Sequence, residues 1–210
     1  MAEFLTDIET RVLGALVEKQ ITTPEYYPLT LNALTLACNQ KNNRNPVTAY
    51  TENDVSQAVE TLREKNLVYV FYGSTSRVPK YKHVMPEVLH LSAAEVGLMC
   101  ALMLRGAQTP GELRGNASRL YEFAGLDDVE QTLAGLISHE PEPLVTRLPR
   151  QLGQKEVRFA HLLSGEVTVE ASVEVEHHAP RQTLEQKIDA LAAEVERLKA
   201  QFEEFKKQFE

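Results

Sequence analysis

The segments LTDIETRVLGALVEKQITTP (residues 5–24) and LSAAEVGLMCALMLRGAQTP (residues 91–110) are the most informative part of this sequence, since they align without a gap at an offset of 86 residues. Self-similarity within one chain indicates an architecture built from repeated units. Each segment opens with Thr or Ser three residues before Glu, which is the capping-box pattern of a helix N-terminus. Apolar residues at helical spacing follow. Both segments therefore predict the first helix of a duplicated unit.

The duplication continues downstream, where residues 54–62 and 128–136 predict the third helix of each unit. Each is followed by two short β-rich runs separated by turn-forming residues, which predict hairpins at 67–83 and 144–162. Three helices followed by a hairpin is the order of the winged helix-turn-helix, in which the hairpin loop is the wing. We therefore predict a mainly α protein with small β-hairpins, an α+β class, with tandem winged-helix domains. The predicted helices span residues 6–19, 30–40, 51–65, 92–105, 109–123 and 126–138.

The predicted domain organisation follows from the repeat and from a change of composition after residue 165. Two winged-helix domains are expected at residues 1–88 and 89–165. Residues 166–182 alternate acidic residues with Val in their first half, which is compatible with a strand, but their acidity favours a mobile linker. Residues 183–210 are predicted to form a C-terminal coiled-coil helix.

The C-terminal segment carries apolar residues at an unbroken spacing of four and three, ending at Phe209, which indicates a heptad seam. β-Branched residues at position a with Leu at d favour two parallel strands, so we expect a homodimer through this helix. The alternative is that the stripe folds back onto a winged-helix domain. The predicted dimerisation residues are Leu184, Ile188, Leu191, Val195, Leu198, Phe202 and Phe205.

Charge and composition limit the classes of function. The net charge is −8, but residues 166–210 carry −5 of it, so the globular part is close to neutral. A near-neutral globular part neither requires nor forbids a phosphate partner. The first residues lack the pattern of an export signal, and no run is apolar enough to cross a membrane, so we expect a cytoplasmic protein. Cys38 and Cys100 each lie in an apolar helical pattern and are interpreted as core residues in a reducing compartment.

Four stretches resemble the YceH-like family of uncharacterised bacterial proteins. They are LVEKQ (residues 16–20), the pattern ACNQKxxRxPV (37–47), LRGAQTPGELR (104–114) and YEF (121–123). The resemblance implies a tandem winged-helix fold and a bacterial cytoplasmic setting. It implies no catalytic residue, because the family has no established activity.

Winged-helix proteins often bind duplex DNA by placing the third helix in the major groove. Here the third helices begin with Glu52, Asp54, Asp127 and Asp128, which phosphates would repel, so reading of the major groove is disfavoured. The basic residues lie in the loop before the third helix, on the wings and on the second unit's middle helix. If they converge on one face they form a phosphate-tracking strip, and otherwise they are solvated surface charges. The candidate DNA-contacting residues are Lys41, Arg44, Arg77, Lys80, Lys82, Arg114, Arg119, Lys155 and Arg158.

The sequence also bears on two other classes of function. A protein-docking module suits the acidic third helices, with Tyr26, Tyr27, Tyr50 and Tyr72 as contact residues or as half-buried packing. An enzyme is disfavoured, since the sequence has no nucleophile motif and no phosphate-binding Gly loop. His83 and His161 occupy equivalent strand positions, and a structural role explains both. We predict no catalytic residue, no metal and no cofactor.

Overall fold

The structure is a computed structural model that describes residues 4–72, 78–150, 156–166 and 199 of the 210-residue chain. The chain divides into two compact units, Met1–Val169 and Glu170–Glu210. The described residues other than Lys199 belong to the first unit, and the description below concerns that unit. No described helix combines the length and apolar character needed to span a membrane.

The first half of the unit contains three helices and a small sheet. Its elements are α1 (Asp7–Thr22), a 3-10 turn (Pro24–Tyr26), β1 (Leu29–Thr30), α2 (Leu31–Cys38), α3 (Glu52–Glu64), β2 (Val68–Phe71) and β3 (Lys80–His83). Capping boxes begin two of the helices, since Thr6 pairs with Glu9 and Thr51 pairs with Asp54. Each box satisfies amides that have no partner within the helix.

The second half repeats this order after a short connecting helix. Its elements are α4 (Met85–Val88), α5 (Ala93–Arg105), α6 (Pro110–Ala117), α7 (Leu126–Ile137), β4 (Val145–Arg147) and β5 (Phe159–His161). Capping boxes again begin α5 and α6, as their sequences predict. Helix α6 ends at Ala117 rather than near residue 123, because the chain turns there and the Leu120 and Tyr121 amides both donate to the Ala117 carbonyl. The turn lets Phe123 be buried.

The strands form two antiparallel sheets. In the first sheet the order is β1-β3-β2, with Tyr81 between Leu29 on one side and Val70 on the other. In the second sheet β4 pairs with β5, and Val145 lies opposite His161. The described fold is therefore helical with small antiparallel sheets, which confirms the predicted α+β class.

The two halves share one hydrophobic core, because α1 packs directly against α5. Leu13, Leu16, Leu98 and Leu102 are fully buried along this contact. Gly14 allows the close approach, since a Cβ atom there would lie 3.0 Å from Leu104 Cδ2. The predicted boundary between residues 88 and 89 falls at the end of α4, within this unit.

Candidate nucleic-acid interface

The Arg44 side chain links the loop between α2 and α3 to helix α1. Its guanidinium donates to both carboxylate oxygens of Glu18 on α1, at 3.2 and 2.7 Å, and to the Ala37 carbonyl at 2.8 Å. The Arg44 side chain is 0% exposed, so it does not reach solvent. Its predicted role as a phosphate contact does not fit this placement, because a buried charge that already holds a carboxylate has no free donor to offer.

A second buried arginine holds the same loop from α1. Arg11 donates to the Cys38 carbonyl at 3.1 Å, to Thr48 Oγ1 at 3.1 Å and to the Pro46 carbonyl at 2.7 Å. Burial lowers the pKa of the Arg11 guanidinium, and the nearby charge of Arg44 lowers it further. The Arg11 guanidinium therefore binds Cys38 before the loop and both Pro46 and Thr48 near its end.

The Asn39 side chain also holds the loop, because it forms two hydrogen bonds with the Tyr50 backbone, as a paired strand residue would. Its Oδ1 accepts from the Tyr50 amide at 2.8 Å, and its Nδ2 donates to the Tyr50 carbonyl at 2.7 Å. The loop is thus fixed at both ends and in the middle, while the Lys41 side chain stays exposed on its outer surface. A fixed loop loses little conformational entropy when a ligand binds.

The loop also packs against the C-terminus of α5. The Asn45 amide donates to the Leu104 carbonyl at 2.9 Å, and Asn45 Nδ2 donates to the Arg105 carbonyl at 3.3 Å. The Arg105 guanidinium in turn donates to Asn43 Oδ1. These bonds satisfy carbonyls that have no partner within the helix. They also bring the loop of the first half against a cation of the second half.

A cavity of about 250 Å³ lies where this loop, α5 and the end of α6 meet. Asn43, Arg105, Asn116 and Arg119 supply amides and guanidinium groups to its wall. Arg119 is exposed, and so is Arg114 on α6. Arg105 and Arg119 line the cavity, while Lys41 lies two residues before the lining residue Asn43 and Arg114 lies next to the lining residue Gly115. We call Lys41, Arg105, Arg114 and Arg119 the junction cations.

The junction combines predicted residues with one that sequence reasoning missed. Of the predicted cations that the structure describes, only Arg119 lines the cavity, while Lys41 and Arg114 lie on the loop and the helix that border it. Nothing in the spacing of the three residues indicated that these elements would meet. Arg105 ends the predicted helix 92–105, where a basic residue suits the helix C-terminus, and this position by itself does not indicate a binding role. Its contact with Asn43 spans 62 residues of sequence and follows from the packing of α1 on α5.

The remaining predicted cations lie elsewhere. Lys80 and Lys82 are on β3 and do not line the junction cavity. Arg158 donates to the Ala107 carbonyl at 2.7 Å and to Glu112 Oε1 at 3.0 Å, so its charge is partly neutralised. Arg77 and Lys155 lie outside the described residues.

Residues 5–154 match the family model described as "Protein of unknown function, DUF480". The chain belongs to this family. It is 56% identical over 168 residues to a UPF0502 protein of Opitutus terrae, covering 80% of this chain and 73% of that protein. It is 47% identical over 196 residues to a UPF0502 protein of Enterobacter sp., covering 91% of each. These findings confirm the predicted membership of an uncharacterised bacterial family.

The matched region of this DUF480 protein contains the supported loop and the helices that line the junction cavity. It also contains the acidic third helices. Glu52 and Asp54 lie in the first turn of α3, and Asp127 and Asp128 lie in the first turn of α7. Hydrogen bonds from Thr51, first from its backbone amide, lower the pKa of Asp54 and keep it ionised. The starts of both helices are therefore negatively charged.

Both cysteines are buried in the core. Burial raises the pKa of the Cys38 thiol to about 12, and it also raises the pKa of Cys100, so both thiols stay protonated at neutral pH. Among the residues that the structure describes, no group of three His, Cys, Asp or Glu side chains is arranged to hold a metal ion.

Proposed function

We propose that this DUF480 protein is a non-enzymatic, tandem winged-helix factor that binds duplex DNA through the junction cations. The observation that carries the proposal is the meeting of the Lys41 loop, the end of α5 and the end of α6 around one cavity. Support for the winged-helix interpretation comes from the order of three helices and an antiparallel strand pair in each half. The acidic third helices argue that the mode of binding differs from reading of the major groove.

The chemistry of the junction suits the phosphate backbone. Guanidinium groups offer several donors in a planar fork that matches phosphate oxygens, and side-chain amides add neutral donors. Such contacts position a protein on DNA without reading its sequence. We therefore expect weak binding with little sequence preference, and a steep loss of affinity as salt rises because each neutralised phosphate releases counterions.

Fluorescence polarisation with a labelled random-sequence duplex, at low and at moderate salt, tests this proposal. Lys41→Glu and Arg119→Glu should each weaken binding and reduce the slope of log affinity against log salt by about one. Arg63→Glu is the matched control, because Arg63 is an exposed cation on α3 that already pairs with Glu60. No binding at low salt, or equal losses for the junction and control variants, would reject the proposal.

A protein-docking module is the second candidate, and a groove beside α7 favours it. The groove has a volume of about 530 Å³ and is lined by Leu126, Leu133, Ile137 and Phe159, with Arg147 at its edge. Leu126 and Ile137 are exposed, which is unusual for large aliphatic side chains on one helix. Arg147 and Arg150 also line the groove, with Glu130 and Glu156, so its charges balance. This function fits a partner with an apolar surface, and it should be preferred if the duplex assay shows no binding at low salt.

We also propose that the protein is a homodimer. The heptad residues from Leu184 to Phe205, which carry this part of the proposal, lie outside the described residues, as do most of the predicted linker and coiled-coil segments. A parallel two-stranded coiled coil would place two junctions in one particle. Two linked phosphate-binding surfaces raise the overall affinity for one duplex without any new contact.

A further inference from the structure

The outward face of the first sheet alternates aromatic rings with lysines. Tyr69 on β2 lies opposite Lys82 on β3, and Phe71 lies opposite Lys80. Side chains that alternate along a strand share a face, so these four project on the same side. The opposite side of the same strands is the packed one, since Val68, Tyr81 and His83 are buried there.

About half of each ring-bearing side chain on this face is exposed. Tyr69 is 51% exposed and Phe71 is 47% exposed. Contiguous exposed apolar surface on a folded protein marks a place of interaction. Among the described strands β2 lies at the edge of the sheet, with α3 beside its first residues.

The charges around the rings favour an anionic ligand. Lys82 is exposed and Lys80 is half-buried, and each lies directly across from a ring, where side chains approach within about 5.5 Å. Glu60 and Glu64 on α3 border the edge of the face beside Tyr69, and Arg63 holds Glu60 at 2.5 Å. The face itself therefore presents two rings and two cations.

The distance between the two rings favours single-stranded nucleic acid over a duplex as the ligand. Residues two apart on an antiparallel strand lie about 6.8 Å from each other. This distance is about twice the 3.4 Å rise between bases in one strand of a duplex. Consecutive bases can thus rest on Tyr69 and Phe71 only when they have separated from each other, which a single strand allows and an intact duplex prevents.

We propose that this face is a binding site for single-stranded nucleic acid. Two bases stack on Tyr69 and Phe71, and the flanking phosphates are held by Lys82 and Lys80. Every base has an aromatic face, so stacking of this kind tolerates any sequence. The site shares no residue with the junction cations, and it stands whether or not the junction binds duplex DNA.

The test measures binding of a labelled oligothymidylate of about 15 nucleotides to the full chain by fluorescence polarisation. Tyr69→Ala and Phe71→Ala should each weaken binding about tenfold, because each removes one stacking surface. Tyr69→Phe should bind as the wild type does, since it keeps the ring. Lys82→Ala should reduce the slope of log affinity against log salt by about 0.7. Tyr26→Ala is the matched control, because Tyr26 is 72% exposed on the 3-10 turn outside this face.

Two further measurements make the outcome decisive. Tyr69→Leu retains an apolar side chain of moderate size, so it should keep the fold, as a thermal melt will check, and still lose about tenfold in binding. Lys41→Glu should leave oligothymidylate binding unchanged while it weakens duplex binding, which separates this site from the junction. The proposal is wrong if no oligothymidylate binds at low salt, or if Tyr69→Ala, Tyr69→Leu and Phe71→Ala all bind it as tightly as Tyr26→Ala. Binding of a polypeptide to the face without binding of the oligonucleotide would also overturn it.

Discussion

Gly14 and Cys100, which occupy the same position in the two copies of the repeat, touch each other. The Cys100 thiol lies 3.5 Å from the Gly14 carbonyl oxygen, between residues that are 86 apart in sequence. The contact therefore places equivalent positions of the two repeat segments side by side where α1 packs on α5.

Filling the space at Gly14 should loosen this contact. A Cβ atom at Gly14 would lie 3.0 Å from Leu104 Cδ2 and 3.2 Å from Met103 Cβ, so Gly14→Leu should lower the free energy of unfolding by about 1–3 kcal/mol or more through overpacking. Gly115→Ala is the matched control, since nothing lies within 4 Å of the added atom. That variant should be neutral or gain up to about 1 kcal/mol from helix propensity. Urea denaturation of both variants checks the pair, and equal effects would contradict the close packing.

Stability should fall in mild acid because of His83 and His161, the last residues of β3 and β5. Burial lowers the pKa of each imidazole from 6.5 to about 4, and their buried ring nitrogens include atoms without a hydrogen-bond partner. In the unfolded chain these groups bind protons below about pH 6.5, whereas the folded chain resists protonation until about pH 4. Their contribution to stability is therefore complete above pH 6.5 and is lost as pH falls towards 4.

Each histidine should add up to about 1.4 kcal/mol per pH unit to the slope of stability in that window. His83→Leu should flatten the dependence by about one proton, measured by urea denaturation between pH 4.5 and 7, a range that these pKa values bracket. His90→Asn is the control, because His90 is exposed and Asn tolerates its positive φ of 51°. An unchanged slope in His83→Leu would show that burial of His83 does not govern the acid response.

The ion pair between Arg44 and Glu18 should behave as a coupled unit. Arg44→Met alone strands a buried carboxylate, and Glu18→Leu alone strands a buried guanidinium, so each should cost about 3–5 kcal/mol. The double variant leaves no unpaired charge and should cost clearly less than the sum of the two. A double-mutant cycle by urea denaturation measures this coupling. Additive losses would mean that the two groups act independently.

The C-terminal heptads should control the oligomeric state. Leu191→Asp with Leu198→Asp places charges at two d positions of the predicted seam and should convert a dimer to a monomer. Light scattering at tens of micromolar protein measures the molar mass and so distinguishes dimer from monomer. A wild-type protein that is monomeric under these conditions would exclude the predicted coiled-coil dimer, and a dimer that survives both substitutions would place its interface elsewhere.

Local patterns in the sequence predict the six main helices and the two strand pairs in order, but not the short strand β1 or the connecting helix α4. The capping boxes of Thr6 with Glu9 and of Ser92 with Glu95 predict where α1 and α5 begin, and apolar spacing of three and four predicts their buried faces. Short β-rich runs after α3 and α7 likewise predicted the hairpins in the right places. These predictions depend only on residues a few positions apart in sequence, and the repeat presents each pattern twice.

Only the tertiary structure shows which charged residues are buried and which are exposed. Arg44 and Lys41 are three residues apart in one polar loop, yet Arg44 is buried on Glu18 and Lys41 is exposed. Arg105 joins the site through Asn43, which lies 62 residues earlier. Whether a cation binds a phosphate or a carboxylate of its own chain depends on partners that are distant in sequence, and charge type alone carries no information about them. The sequence by itself therefore determined the repeated helices and hairpins, while the packing of α1 on α5 determined which cations meet.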